Sequence, residues 1–147
     1  MPTGTLKQQD KSRVCRNTVT FAAGGIGEFD TPTITIFNVT GEVMVEEIIV
    51  FCSESLAGAT GTLECGIAGN TAALIAQSTA TDIDVDEFWV DTAPATVEGP
   101  VTNKAISSDI ILTVGTADIT DGTLEFYVRW HRISENGVVS TSTVTAA

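Results

Sequence analysis

The feature that most constrains this chain is a period of two in its apolar residues. In the stretch 123–132, Leu124, Phe126, Val128 and Trp130 share one side of an extended backbone, and Glu125, Tyr127, Arg129 and His131 share the other. That alternation belongs to a strand with one face in a core and one face in water. The run 109–114 is rich in β-branched residues and is bounded by Ser107, Ser108 and Gly115. An Asp121-Gly122 turn signal precedes the next run, so the spacing predicts a C-terminal hairpin or meander of these two strands. Upstream, Thr33–Phe37 and Val43–Val45 are two further strands, with Gly41 in the turn between them. Glu46 and Glu47 then interrupt the apolar pattern before Ile48–Cys52, which predicts a β-bulge that exchanges the buried face. The segment Thr71–Gln77 mixes helix-favouring alanines with a strand-like length, and we read it as extended. Asp82, Ile83, Asp84, Val85 and Asp86 alternate strictly and read as a strand with its polar side in water. No window shows the apolar stripe of an amphipathic helix. The expected fold is all-β, an antiparallel sandwich or jelly-roll of about eight strands with an extended N-terminal arm.

At 147 residues, with 43% hydrophobic and 18% charged residues, the chain is long enough to bury a core without metal or disulfide staples. Its mean hydropathy of +0.23 is that of a folding sequence. We expect a basic arm over residues 1–20 leading into the first strand, a sandwich over 21–133, and a Ser/Thr-rich tail over 134–147. No apolar run approaches the roughly 20 residues that span a bilayer, and none has signal-peptide form, so neither a membrane partner nor secretion is expected. The charge is lopsided. Lys7, Lys11, Arg13 and Arg16 against Asp10 give the first 20 residues a local +3, which leaves −15 of the total −12 on the remainder. So acidic a body repels phosphate backbones, which excludes it as a nucleic-acid binder. The four cations are candidates for docking the arm on an acidic or polar protein surface.

Chemistry-bearing motifs are sparse. The single histidine, His131, sits in a strand, and no nucleophile elbow accompanies it. Cys15, Cys52 and Cys65 are odd in number and widely spaced, with no metal-ligand pattern; a free thiol in apolar company packs as a small core residue. The triplet Asp82, Asp84, Asp86 starts like a calcium loop, but Glu87 stands where that loop has glycine and Ala93 where it has glutamate. Gly24, Gly25 and Gly27 lack the Lys-Ser/Thr ending of a phosphate loop and read as a turn. Asn38-Val39-Thr40 fits the glycosylation sequon without a secretory context. No catalytic residue, cofactor site or metal site is expected.

The stretches 66–77, 87–91 and 109–122, closing with Phe126-Tyr127-Val128-Arg129-Trp130, resemble small virion proteins of tailed bacteriophages, which are acidic, Thr- and Ala-rich all-β chains. The resemblance covers about residues 33–132. It implies a non-enzymatic capsid decoration or cement protein that binds the major capsid protein on the outside of the shell and assembles in the host cytoplasm. It also implies a homo-oligomer, with a trimer favoured. A tail, neck or head-fibre component is the nearest alternative. A carbohydrate-binding module, with Trp89, Tyr127 and Trp130 as stacking faces, is the alternative of another class.

Overall fold

A computed structural model describes residues 11–144. Nine strands are found among them: β1 (Arg13–Thr20), β2 (Thr33–Thr40), β3 (Val43–Ala57), β4 (Thr62–Ile67), β5 (Asn70–Thr79), β6 (Val101–Ile106), β7 (Ile110–Gly115), β8 (Asp121–Arg132) and β9 (Val138–Thr141). They form two antiparallel sheets. Sheet A has the order β1-β8-β3-β6 and sheet B the order β5-β4-β7-β2-β9. Within the first eight strands the pairs are β1 with β8, β2 with β7, β3 with β6, and β4 with β5. This nested pairing, rolled into two layers, is a jelly-roll, with β9 added beside β2.

The core lies between the sheets. From β8, Leu124, Phe126, Val128 and Trp130 all point into it, none more than 3% exposed. The bulge falls where the paired glutamates interrupt β3, since Val45 pairs with Trp130 and Glu47 with Arg129. Val43 and Val45 are buried before it, and Ile48, Val50 and Cys52 after it, so the buried parity changes from odd to even. The segment around Thr71 is extended, as part of β5.

Three expectations are corrected. The strands 109–114 and 123–132 do not form a hairpin, because β7 lies in sheet B and β8 in sheet A. Immediately after β7, Thr116 takes a left-handed φ of 69°, and the Ala117 N–H bonds the Gly115 carbonyl at 2.7 Å. This tight three-residue turn sends the chain across the sandwich, where buried Ile119 anchors it through its N–H to the Gly27 carbonyl. The alternation at Asp82–Asp86 is no strand. A 3-10 turn at Ala80–Asp82 precedes it and Asp86 is left-handed at φ 68°, so Ile83 is buried while Val85 stands in solvent. The stretch read as a tail contributes β9, with Val139 buried in the core.

The sandwich closes along one side where β1 meets β9. The Asn17 amide donates to the carbonyls of Ile36 (2.7 Å) and Ser142 (2.9 Å), and the Thr141 hydroxyl donates to the Arg16 carbonyl (2.8 Å). β5 and β6 are the edges of the other side. The upper half of β3, beyond the reach of β6, is lined by the loop 83–89: Leu56 bonds to the Ile83 carbonyl, Asp86 to Cys52, and Trp89 to Val50.

Candidate partner-binding surface

Strand parity decides what the outer face of sheet A displays. From β8 it receives Glu125, Tyr127 and Arg129, from β1 it receives Val14, Arg16 and Thr18, and from β3 beyond the bulge it receives Glu47, Ile49 and Phe51. Register places Val14, Arg129 and Glu47 in one row and Arg16, Tyr127 and Ile49 in the next. Val14, Ile49 and Tyr127 floor a depression of about 260 Å³, with Arg16, Glu47 and Arg129 at its rim. Phe51 continues the apolar surface and packs against Phe88, with ring centroids 5.3 Å apart.

The electrostatics of the face are local. Arg129 pairs with Glu47 at 3.3 Å, a half-exposed contact of small worth. The Arg16 guanidinium lies 5.1 Å from the Tyr127 ring centroid, a cation–π stack. At one end, the Ser12 hydroxyl donates to Glu46 at 2.7 Å, and His131 Nδ1 lies 3.4 Å from the other carboxylate oxygen. The Ser12 bond holds the Glu46 carboxyl below its ordinary range against a smaller opposing effect of burial, and His131 and Arg129 add to the lowering. The strands of sheet A carry Arg13, Arg16, Lys104, Arg129 and Arg132. Those of sheet B carry no cation, and Glu64 is their one charged residue. In a molecule of net charge −12, the described strand cations therefore all belong to sheet A, and Arg16 and Arg129 among them stand on its outer face beside Glu47 and Glu125.

Of the four arm cations expected from the sequence, Lys7 lies outside the described residues and Lys11 stands exposed just before β1. Arg13 and Arg16 belong to β1 and have opposite parity, so they do not converge. Arg13 caps the core-side Trp130 at 5.5 Å, whereas Arg16 lies on the outer face. Sequence reasoning missed Val14, Glu47, Ile49 and Arg129 as a group. Tyr127 entered only as a stacking candidate. Their gathering was encoded in the β8 alternation combined with the parity change at the bulge, but only the register of β1 and β3 on β8 joins them.

The other candidates resolve simply. Trp89 is fully buried, its indole N–H donating to Ser78 Oγ at 2.7 Å. The three cysteines are free thiols. Burial raises Cys52 to about 11 and Cys65 to about 12. Among the described residues no group of three or more His, Cys, Asp or Glu side chains is placed to hold a metal ion, the Asp82, Asp84, Asp86 triplet included.

No protein family model matches this chain, and no curated protein matches it. Among solved structures, a chain of the capsid asymmetric unit of cyanophage Pam1 is similar, at a TM-score of 0.59 and 17% identity over 84% of this chain and 86% of that one. A chain of the acid-stable capsid of the Helicobacter pylori bacteriophage KHP30 aligns over 90% of this chain and 100% of that one, at a TM-score of 0.42 and 8% identity. The second likeness is too low to compare strand with strand. The first is one of fold, and it extends over most of both chains.

Proposed function

We propose that this chain is a non-enzymatic structural protein of a tailed-bacteriophage virion, which binds the major capsid protein on the outside of the shell and decorates or cements it as a homo-oligomer, with a trimer favoured. The observation that carries the reading is the fold likeness to the chain from the Pam1 capsid, which takes in most of both chains and so concerns the whole sandwich. Jelly-rolls serve lectins as well as capsids, and the aromatic residues weigh against the carbohydrate reading. Trp89 and Trp130 are buried, and Tyr127 lies beneath Arg16, so no ring of the three is presented bare for stacking on a sugar. In this reading Lys7 and Lys11 supply the charge by which the N-terminal arm docks on an acidic or polar neighbouring surface. Arg13 and Arg16 hold the base of that arm through their stacks on Trp130 and Tyr127. The test is a reconstruction of purified particles of the phage that encodes the chain. We expect sandwich density on the outside of the shell, in fixed ratio to the major capsid protein. Density at the tail, the neck or a head fibre, or its absence from the particle, would overturn the proposal.

A further inference from the structure

We infer that the depression on the outer face of sheet A receives the Asp84-Val85-Asp86 tip of a second copy of this chain. Val14 in the depression is 58% exposed and Val85 at the tip 46%, two of the few large apolar side chains left in solvent. The depression, about 260 Å³, has room for a valine side chain. Its charges also match. Arg16 and Arg129 occupy one diagonal of a square whose other diagonal is Val14 and Tyr127; Arg129 is held by Glu47 at 3.3 Å, which leaves Arg16 to meet the carboxylates of Asp84 and Asp86 on either side of Val85 in the chain. Among the described residues Arg16 makes no ion pair, only its stack on Tyr127, so its guanidinium fork retains donors for an incoming carboxylate.

The tip is built to present itself. The Val85 N–H donates to Ser55 Oγ at 2.8 Å, the Asp84 N–H to Glu87 Oε2 at 3.0 Å, and the Asp86 N–H to the Cys52 carbonyl at 2.9 Å. Held at both flanks, Val85 points outward with little ordering left to lose on contact. Copies of net charge −12 repel one another in most orientations. The orientation that brings Arg16 against a neighbour's carboxylates is attractive, which favours this contact over others. The tip lies beside the far end of β3, at Cys52 and Ser55, whereas the depression lies at Glu47 and Ile49 nearer its start. One chain therefore uses two different surfaces. The contact is head-to-tail, and it generates a ring when the rotation closes.

The inference concerns the free protein and goes beyond the virion reading, so sedimentation of the full chain in solution tests it without particles. We expect concentration-dependent association that weakens as salt is raised. Arg16→Glu with Arg129→Glu, and separately Asp84→Lys with Asp86→Asn, should each weaken association about tenfold or more. The asparagine keeps a residue tolerant of the left-handed backbone. Val85→Asp gives an independent uncharged-to-charged loss at the tip, and far-UV circular dichroism checks that each variant is folded. The distinctive result is complementation: mixing the depression variant with the tip variant restores association, because each retains the half that the other lacks. A wild-type monomer at all concentrations, variants that associate like wild type, or a mixture that fails to recover would each overturn the inference. Association without particle binding would sink the virion reading alone.

Discussion

Trp130 fills the core at 3% exposure while the Arg13 guanidinium lies over its ring. Trp130→Ala should cost about 3 to 5 kcal/mol in urea unfolding, a large share of the 5 to 15 kcal/mol typical of a domain. A loss near 1 kcal/mol would mean that the site collapses around the missing ring. Cys52 and Cys65 make a second prediction. Burial lifts both thiols above the ordinary 9.0, so the unfolded chain gives up these protons first as pH rises. Their contribution is intact below about pH 9 and is lost progressively towards the folded values of about 11 and 12. Unfolding free energy should therefore fall from about pH 9 towards pH 11, and fall less in the Cys52→Ala, Cys65→Ala double variant. Equal slopes in the two proteins would refute this origin. At this scale the sequence was legible: single residues in apolar company, Cys65 and Trp130 among them, are buried as their neighbours imply.

The bulge is the element on which the candidate surface depends. Glu46→Ala removes the Ser12 hydrogen bond and the 3.4 Å contact with His131 but leaves the extra residue in place, and should cost about 1 kcal/mol. Deleting Glu46 is a different perturbation. It removes the extra residue, after which Val43, Val45, Ile48, Val50 and Cys52 alternate regularly on the core side of β3 in unbroken register with β8. The deletion protein should therefore keep cooperative thermal unfolding monitored by circular dichroism, whereas one alanine inserted after Val50, which turns Cys52 to the other face, should weaken it strongly; a deletion protein that fails to fold would show that the bulge itself is required. This bulge could be read from the sequence because two carboxylates coincide with a change in the apolar parity. The partners of β7 and β8 could not, because alternation tells which side of a strand is buried and not which strand lies beside it. Asp82–Asp86 misled for a related reason: alternating letters do not fix alternating directions when a 3-10 turn and a left-handed Asp86 intervene. β9 was missed because four residues with one buried valine carry too little pattern to register.

For the whole molecule, the described residues make a closed unit from β1 onward, and the Ser12 to Glu46 bond is the first side-chain contact along it. Deleting residues 1–10 should therefore leave the unfolding midpoint unchanged within error while reducing occupancy on particles, as band intensity after co-sedimentation would show. Undiminished occupancy would refute a docking role for the arm. The candidate surface was only partly legible at this scale: the charge imbalance is plain in the sequence, but its concentration on sheet A follows from the order β1-β8-β3-β6. That same order bears on how the chain is made. β8, the central partner of both β1 and β3, is synthesised late, and β1 cannot close its seam until Thr141 and Ser142 exist. The nested pairs must therefore wait, the innermost β4–β5 hairpin being available first and the outermost pair last. A chain cut short on the ribosome before residue 121 has a sheet A without its middle and cannot hold the sandwich shape, so completeness of translation is checked by the fold itself before any copy can enter an assembly.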